Sequence, residues 1–573
     1  MLLHLASSWG PSSHGITTRI NEAPPRLGPI VAIDIETDEL DNFVGGAIYD
    51  GGSDVYYFSD GKDFVAHVTG KRIIGYNVKS DLNWIRGLGL LVGSSDIHSD
   101  PMIQAYVANS NRENQGLKQV AHEVLGWTWP SYKQMSHPDP NKPGKKVTLE
   151  KQAVEIVAEY CCMDTIAVWK LDEYFTKHFT PAQKNLYDTV ELPAYKLIWE
   201  MECLGVGLDV EGLKVLDKEF GDELVVLKKA LEFYDANWNP NSPIQTVKVL
   251  NSLGIRVAGS AKDDLAPYVG KYAVIDLLKK YKKIKKLHST YVVPFLGKER
   301  VHTTFNQVAL QTDGELHGIR TGRLSSSGPN LQNIPAKRKG EVYGERIRGV
   351  YVPTPGKIFI DADYSQIEYR LLAHFSQEVH LVKGFHAGLD VHEVTGKLLG
   401  CERGVGKTLN FASIYGAGPE KIAATAGCTV QEAEKFLQSY WTHLPGVAKW
   451  IDSTKLLARG RGGVTTMSGR FVPLPEINSR NKWKRMHAER AAVNYVIQGS
   501  AADILKVAML RLQDAGYVPS LQVHDELLFE VEPSNADAAL LEIKNIMEGV
   551  VTLTVPLVVD IHKGGNWNAA KGA

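Results

Sequence analysis

Two stretches decide the fold of this chain: Asp361-Ala-Asp-Tyr-Ser-Gln-Ile-Glu-Tyr-Arg370 and Gln522-Val-His-Asp-Glu-Leu-Leu-Phe-Glu530. Each follows an apolar run that predicts a β-strand, at residues 357–360 and 518–523. A carboxylate at the end of a strand is held rigidly. If Asp363 and Asp525 meet on one sheet, they can bind two divalent ions about 3.5–4 Å apart. Such an ion pair is the machinery of in-line phosphoryl or nucleotidyl transfer.

A third stretch lies between them, Arg403-Gly-Val-Gly-Lys-Thr-Leu-Asn-Phe-Ala-Ser-Ile-Tyr-Gly416. Its periodicity predicts a helix that ends at the glycine. Arg403, Lys407, Phe411 and Tyr415 recur every four residues. The helix would therefore carry two cations and two aromatic rings along one broad face.

These three segments, in this order and spacing, resemble motifs A, B and C of the family A DNA polymerases, those similar to bacterial DNA polymerase I. Two more stretches match, Thr321-Gly-Arg-Leu-Ser-Ser-Ser-Gly-Pro-Asn-Leu-Gln-Asn-Ile-Pro335 and Glu489-Arg-Ala-Ala-Val-Asn-Tyr-Val-Ile-Gln-Gly-Ser-Ala-Ala-Asp503. The resemblance implies an α+β right-hand polymerase domain at residues 185–573. It places the thumb at about 205–300, the palm at about 301–400 and 485–573, and the fingers at about 400–480.

The resemblance also implies a metal site at Asp363 and Asp525, with the backbone carbonyl of Tyr364 as a third ligand. Two Mg²⁺ ions are expected there, and Mn²⁺ can substitute. One would lower the pKa of the primer 3′-hydroxyl, and the other would bind the triphosphate and the leaving pyrophosphate. Glu526 is expected to add negative charge from just outside the ligand shell.

The substrate contacts are implied in the same way. Lys407 is expected to act in catalysis and, with Arg403, to meet the β- and γ-phosphates of an incoming nucleotide. Phe411 and Tyr415 would pack against its sugar and base. The other nucleotide-binding residues implied are Tyr364, Gln366, Glu368 and His392. The minor-groove side of the primer–template end is implied for Arg323, Asn333, Asn494, Gln498 and His524. Because that groove shows nearly the same acceptors for every correct pair, donors there can check pair shape without reading sequence.

Glu368 is expected to select deoxyribose, because its side chain would fill the space that a ribose 2′-hydroxyl requires. The alternative is a salt bridge away from the site. The sequence departs from the family pattern at Tyr369, Gly404, Gly406 and Ala412. None of these positions is an expected metal ligand.

Residues 28–178 alternate between short strands and helices, which is typical of an α/β domain. A buried strand is predicted at Ile30-Val-Ala-Ile-Asp-Ile35, flanked by Val55-Tyr-Tyr-Phe58 and Arg72-Ile-Ile-Gly75. Helices are predicted at 80–88, 116–125 and 151–178, and a loop at 130–147. Beyond residue 181, helices are predicted at 185–204, 211–237 and 272–291, with a turn at Gly205-Val-Gly-Leu-Asp209.

The first domain carries a second group of acids. Asp34 and Glu36 alternate on a strand and share one face, Asp81 opens a helix, and Tyr160 and Asp164 are one helical turn apart. This set and order resemble the 3′–5′ exonucleases of the DEDD type with tyrosine, which implies a ribonuclease H-like fold. The four acids would hold two divalent ions, and the tyrosine would position an attacking water. The alternative is a degenerate domain that is kept only for structure.

Composition sets further limits. The net charge of −1 over 573 residues does not indicate a nucleic-acid partner, but Lys279-Lys-Tyr-Lys-Lys-Ile-Lys-Lys286, Lys337-Arg-Lys339 and residues 480–490 are basic. These clusters are either solvated faces or, beside polymerase motifs, phosphate contacts. Five cysteines without Cys-x-x-Cys spacing indicate neither a zinc site nor a disulfide framework. No segment is apolar enough for a membrane, and a cytoplasmic location is expected.

Together these features predict a DNA polymerase with proofreading that acts on primer–template DNA and deoxynucleoside triphosphates, in replication or, as the alternative main role, in repair. A monomer is expected, without a thumb insertion for a processivity factor and without a 5′-nuclease domain. Residues 1–27 are expected to form an irregular extension, with an organelle-targeting peptide as the alternative. The rival interpretations are a single-subunit RNA polymerase and a replication scaffold with inactive sites. A P-loop at Gly404-Val-Gly-Lys-Thr408 is disfavoured because Cys401 stands where the pattern needs glycine.

Overall fold

The computed structural model describes residues 9–40, 42–90, 92–138, 146–308, 310–312, 315–317, 320–335 and 342–572. The basic cluster predicted at Lys337-Arg-Lys339 lies outside these residues. Within the described residues, no helix is both long and apolar enough to cross a lipid bilayer. The five cysteines are free thiols, as the absence of a disulfide framework predicts.

The first part of the chain is an α/β unit. Its strands are β1 (Thr17–Ile20), β2 (Ile30–Thr37), β3 (Phe43–Tyr49), β4 (Asp54–Phe58), β5 (Arg72–Ile74), β6 (Ile97–Ser99), β7 (His137–Pro138) and β8 (Lys146–Val147). Its α-helices are α1 (Gly61–Val68), α2 (Lys79–Gly87), α3 (Pro101–Ala108), α4 (Leu117–Leu125), α5 (Tyr132–Met135) and α6 (Val154–His178). The helices predicted at 80–88, 116–125 and 151–178 are thus confirmed within three residues at each end.

The second part is larger and mostly helical. Its α-helices are α7 (Pro181–Leu186), α8 (Leu192–Leu204), α9 (Val210–Glu232), α10 (Pro243–Ser252), α11 (Lys262–Leu265), α12 (Ala273–Tyr291), α13 (Val342–Gly349), α14 (Ile367–Ser376), α15 (Val379–His386), α16 (Val391–Leu399), α17 (Arg403–Tyr415), α18 (Pro419–Ala426), α19 (Val430–His443), α20 (Pro445–Arg461), α21 (Lys482–Asp514), α22 (Ala536–Glu548) and α23 (Trp567–Ala570). A π-helical turn, Tyr187–Glu191, joins α7 to α8.

The strands of this part are short apart from those of one sheet. They are β9 (Val206–Leu208), β10 (Arg300–Val301), β11 (Thr304–Asn306), β12 (Leu310–Thr312), β13 (Glu315–His317), β14 (Ser325–Ser327), β15 (Tyr351–Val352), β16 (Ile358–Tyr364), β17 (Gly463–Thr465), β18 (Phe471–Pro473), β19 (Leu521–Val523), β20 (Glu526–Val531) and β21 (Val559–Gly564).

The sheet of the first part has six strands in the order β1-β4-β3-β2-β5-β6. The central strand β2 pairs with β5, as predicted, but its other neighbour is β3 and not β4. Strand β3 was not predicted, because Gly45 and Gly46 interrupt its apolar run. These glycines lie against the rings of Tyr57 and Phe64, where a Cβ atom would clash.

Three more expectations about local structure are wrong. Residues 17–20 are not irregular, because β1 pairs in parallel with β4 and closes the edge of the sheet. The loop expected at 130–147 contains α5, which begins with a capping box between Ser131 and Gln134, and the paired strands β7 and β8. The turn expected at 205–209 contains β9, which pairs with β10 and β15. Gly207 permits that pairing because a side chain there would clash with the carbonyl of Val352.

The four-stranded sheet of the second part has the order β19-β20-β16-β21. Strand β16 pairs antiparallel on both sides, so that Asp363 lies opposite Glu526 of β20 and Asp560 of β21. The strand predicted at 357–360 therefore continues through Asp363 to Tyr364. The strand predicted at 518–523 is shorter, because regular pairing begins at Leu521.

The lysine run at 279–286 lies on α12. Leu278, Tyr281 and Ile284 of this helix are buried, which leaves the lysines between them on the outer face. One of them, Lys280, forms an ion pair of 2.7 Å with Glu223 of the neighbouring helix α9. The run therefore forms a charged outer face on a packed helix pair.

A buried ionic cluster holds the second part together. Glu191 accepts hydrogen bonds from Lys506 Nζ at 2.8 and 3.0 Å and from Arg470, which also donates to Asp503 at 2.8 Å. These four side chains are at most 3% exposed. Burial alone would raise the pKa of Glu191, but the charges of Arg470 and Lys506 lower this pKa to about 2.

A second buried pair joins the two parts. Lys79 of α2 donates to Glu202 Oε1 of α8 at 2.6 Å and to the Phe305 carbonyl at 2.9 Å. The same Glu202 oxygen accepts from the Phe305 backbone N–H at 2.7 Å. The Lys79 ammonium and the Glu202 carboxylate are thus paired, and breaking the pair would leave a buried charge alone. The contact therefore fixes α2 relative to α8.

Replacing Glu191 by Gln should lower the free energy of unfolding by about 3–5 kcal/mol, because Arg470 and Lys506 would stay buried with one counter-charge fewer. The folded-state pKa of Glu191 lies below its usual value of 4.5, so its stabilisation is present above that pH and is lost as the pH falls toward 2. Urea unfolding should therefore show a smaller difference between parent and variant at about pH 3 than at about pH 7.

The control is Asp188→Asn, which removes an exposed pair with Lys184 and should change stability by less than about 1 kcal/mol. A Glu191→Gln effect that is equal at both pH values, or no larger than that of the control, would contradict the assignment.

Candidate active site

The sheet brings the two signature aspartates together. Asp525 lies in the two-residue turn between β19 and β20, beside the end of β16. Its backbone carbonyl accepts a hydrogen bond from the Tyr364 N–H at 3.1 Å. The turn is possible because His524 adopts a left-handed backbone, φ 56°. Asp363 and Asp525, whose side chains are 38% and 26% exposed, therefore lie on neighbouring segments at one end of the sheet.

A lysine that the sequence analysis missed lies among the acids. Lys571 Nζ contacts Asp363 Oδ2 at 2.9 Å, Glu526 Oε2 at 2.6 Å and Asp361 Oδ1 at 3.5 Å. The other oxygen of Glu526 accepts from Trp567 Nε1 at 2.7 Å. Both Glu526 oxygens are thus occupied, which fits the expectation that Glu526 supplies charge without binding an ion. No short motif contains Lys571, so sequence offered no signal for it.

Burial dominates the protonation of these acids. It raises the pKa of Asp363 against the opposing charge of Lys571. Burial, together with the charge of Glu526, raises the pKa of Asp361 to about 9. Burial would also raise the pKa of Glu526, but its interaction with Asp361 and the charge of Lys571 lower that pKa.

Arg323 links two other predicted residues. Its guanidinium Nη2 donates to Glu368 Oε1 at 2.6 Å and to Asp525 Oδ1 at 3.2 Å. The second oxygen of Glu368 accepts from the Tyr415 hydroxyl at 3.0 Å, and Gln498 donates to that hydroxyl at 3.2 Å. The alternative of a Glu368 salt bridge away from the site is therefore wrong, because its salt bridge lies within the site.

Helix α17 has the face that its sequence predicts. Phe411 and Tyr415 stack with centroids 6.2 Å apart, and both are about two-fifths exposed. Lys407 Nζ lies 6.0 Å from the Phe411 ring. These residues line an open cavity of about 360 Å³ between α17 and α18. Arg403 is bound instead to Asp390 at 2.6 Å.

His392 is close to this face but buried. Its ring lies 6.0 Å from that of Phe411, and its Nδ1 is 2.9 Å from Asn410 Nδ2. Burial lowers the pKa of His392. The departure at Gly406 has its reason here, because a Cβ atom at that position would come 2.5 Å from the His392 carbonyl oxygen. Glycine lets α16 and α17 pack closely.

The remaining residues assigned to the minor groove lie on three separate elements. Asn494 precedes Gln498 by one turn on α21, and both are half-buried. His524 is exposed in its turn, and Asn333 is exposed on a 3₁₀ turn. Gln332 Nε2 donates to Gln522 Oε1 at 2.7 Å, which connects that 3₁₀ turn to β19. Gln366 immediately precedes α14 and has a left-handed backbone, φ 54°.

The second group of acids also converges. Asp34 and Glu36 lie on β2, and one ligand atom from each lies within 4.8 Å of the other and of Cys161 Sγ. Asp81 lies in the first turn of α2. Burial and the charge of Asp164 raise the pKa of Asp34 to about 7. Burial, followed by the charge of Asp34, also raises the pKa values of Glu36 and Asp81.

Two residues of this site were missed. Lys118 Nζ donates to Asp164 at 2.8 Å and lies 4.1 Å from the ring centroid of Tyr160. Trp129 Nε1 donates to the same carboxylate. Tyr160 and Asp164 are one turn apart on α6, as predicted. Lys118 and Trp129 come from other elements, so no local pattern could have joined them to Asp164.

The polymerase motifs and the fold agree on the family. The chain belongs to DNA polymerase family A, whose family model matches residues 210–569. It is similar to DNA polymerase I of Synechocystis, with 32% identity over 89% of this chain and 55% of that protein. For DNA polymerase I of Pseudomonas aeruginosa the identity is 30%, over 87% of this chain and 56% of that protein. The chain spans about half the length of the curated relatives it matches.

A solved structure matches the whole fold. The POL domain of Pol1 from M. smegmatis, in complex with DNA primer-template and dNTP, superposes with a TM-score of 0.80 and 26% identity. The match covers 96% of this chain and all of that chain. The family predicted from the motifs is therefore confirmed.

Replacing Lys571 by Met should lower the free energy of unfolding by about 3 kcal/mol, because three acids would lose their shared cation. Urea unfolding at neutral pH measures the change. Lys563→Met is the matched control, since Lys563 pairs with the exposed Asp537 and should contribute less than about 1 kcal/mol. Equal losses in the two variants would mean that Lys571 does not hold the acids.

Proposed function

We propose that this chain is a DNA-templated DNA polymerase that adds deoxynucleotides to a primer 3′ end. The observation that carries the proposal is the hydrogen bond between Tyr364 N–H and the Asp525 carbonyl, which sets Asp363 and Asp525 side by side. The family and the DNA-bound relative support it. Replication is its proposed role, with repair as a further one, and it is proposed to act as a cytoplasmic monomer.

The residues at the end of the sheet fit a pair of Mg²⁺ ions, with Mn²⁺ as a substitute. Asp363 and Asp525 keep partly exposed carboxylates, and the Tyr364 carbonyl is the proposed third ligand. The oxygens of Glu526 are occupied by Trp567 and Lys571. When bound, the ions would activate the 3′-hydroxyl and neutralise the leaving pyrophosphate.

The chain's own residues would orient the substrates. Lys407 and Arg403 are proposed to bind the triphosphate, which requires Arg403 to exchange Asp390 for phosphate. Phe411 and Tyr415 offer a stacked aromatic face for the sugar and base. Glu368 is held on both oxygens by Arg323 and Tyr415, which suits a rigid steric gate against the ribose 2′-hydroxyl. His392 would support the triphosphate pocket from beneath Phe411.

We propose a second activity, 3′–5′ exonuclease, at Asp34, Glu36, Asp81 and Asp164 in a ribonuclease H-like domain. The raised pKa of Asp34, to about 7, reflects acids crowded in a half-buried site, which is the condition that a divalent ion relieves. Two Mg²⁺ ions would supply the hydroxide and stabilise the leaving 3′-oxygen. Tyr160 would then orient the attacking water, and Lys118 would release Asp164 to an ion.

Asp363→Asn and Asp525→Asn should each slow primer extension by at least about 100-fold, because even indirect partners of metal ligands contribute 10–100-fold. Trimming of an unpaired 3′ end should keep its rate. The double variant Asp34→Ala/Glu36→Ala should lose trimming of the 3′ end and keep its rate of primer extension. End-labelled primers with matched and mismatched ends, with and without Mg²⁺, measure both rates.

Asp560→Asn is the matched control, because this exposed acid lies opposite Asp363 on β21 and should leave both rates unchanged. If a variant with changes in only one acid group loses both extension and trimming, the two acid groups do not form separate sites. Extension without any divalent ion would refute the metal assignment.

Glu368→Ala should raise incorporation of ribonucleotides relative to deoxynucleotides by about 10–100-fold, the usual effect of a removed steric group on selection. Glu368→Gln keeps the bulk and can still accept from Arg323, so its selectivity should stay near that of the parent. The ratio of kcat/KM for the two substrates measures this. If both variants lose selectivity equally, charge and not volume makes the distinction.

A further inference from the structure

The segment that carries Arg323 is attached to the first part of the chain. The N–H of Gly322 donates to the hydroxyl of Tyr106 at 3.0 Å. Tyr106 belongs to α3 and is fully buried, and Gly322 is buried with a left-handed backbone, φ +87°. Because both partners are buried, no water can replace this hydrogen bond without opening the contact.

Arg470 closes the other side of the contact. Its guanidinium carbon lies 5.8 Å from the centroid of the Tyr106 ring. Its Nε would be 3.0 Å from a Cβ atom on Gly322, so the guanidinium packs directly on the glycine. Asp503 and Glu191 fix Arg470 in turn. Gly322 is therefore clamped between the first part of the chain and the buried ionic cluster.

The residue after this clamp reaches the acids of the polymerase site. Arg323 donates to Glu368 and Asp525, and Glu368 also accepts from Tyr415. A continuous series of contacts thus leads from Tyr106, through one peptide unit, to the proposed sugar gate and to a proposed metal ligand. A shift of Gly322 would change the direction from which Arg323 approaches both acids.

We propose that Tyr106 is a positioning residue for the polymerase site: its hydroxyl fixes Gly322 and thereby aligns Arg323 on Glu368 and Asp525. The inference rests on the proposed polymerase function and extends it. It gives the first part of the chain a role in nucleotide addition and sugar selection that is independent of any hydrolysis at Asp34 and Glu36.

The test compares Tyr106→Phe with Tyr49→Phe. Tyr49 is also buried in the first part of the chain, and its hydroxyl donates to the Gly52 carbonyl at 2.9 Å, with no contact to Gly322. On a primed template, Tyr106→Phe should lower kcat for deoxynucleotides by about three- to tenfold, the equivalent of one buried hydrogen bond, with a smaller change in KM. Selectivity against ribonucleotides should also fall in Tyr106→Phe. In Tyr49→Phe, kcat and selectivity should both match those of the parent.

Amide exchange gives a readout that needs no activity. Residues 320–325 should exchange faster in Tyr106→Phe than in the parent and in Tyr49→Phe, while thermal melting shows that all three proteins are folded. Unchanged kcat and selectivity in Tyr106→Phe, or equal losses in both variants, would overturn the inference.

If the parent chain does not extend primers, the proposed function fails, and exchange alone then decides the inference. Unchanged exchange at 320–325 would overturn the positioning of Arg323, and faster exchange in Tyr106→Phe alone would support it.

Discussion

The pairing of β16 with β20 is the constraint on which the rest of the polymerase part depends. The antiparallel register places Asp363 opposite Glu526. Asp525 is the residue just before Glu526, in the two-residue turn, so the same register also determines the position of Asp525. A slip of one residue would turn each side chain to the other face of the sheet. The register is fixed by buried residues on β16 and β20, among them Phe359, Leu527 and Phe529. Core packing thus determines where the carboxylates meet.

Both acid groups share a second feature, a cation from a distant part of the sequence. Lys571 contacts three acids of the polymerase site, and Lys118 binds Asp164 in the first part of the chain. Buried carboxylates repel one another and lose hydration, so each group needs positive charge to stay folded. In each group a lysine on a flexible stem supplies that charge.

Much of this arrangement could be predicted from the sequence, because the relevant residues lie within short segments that have a clear strand or helix pattern. Asp34, Glu36, Asp363 and Asp525 sit beside strands with strong apolar runs, and Arg403 to Tyr415 follow helical periodicity over three turns. What was missed depends on contacts between distant segments. Lys571, Lys118 and Trp129 belong to no pattern. Strand β3 was missed because its two glycines, which normally weaken a strand, serve here to admit aromatic rings.

Gly406 on α17 is a second case in which a contact between distant segments changes the interpretation of a residue. Sequence alone marks Gly406 as a weak point in a helix. The structure shows that it is required by the carbonyl of His392. The conformational cost of Gly406 is offset by the close packing of α16 and α17. That packing cannot be predicted from the sequence of α17 alone.

The buried pair of Lys79 and Glu202 constrains how far the two acid groups can move relative to each other. Lys79 lies two residues before Asp81, and its ammonium is anchored to Glu202 of α8 in a contact whose side chains are 5% and 6% exposed. Rotating the α/β unit as a rigid lobe would require these two charges to separate while still largely buried, which is costly. The distance between the two acid groups is therefore tied to an ion pair that belongs to neither of them.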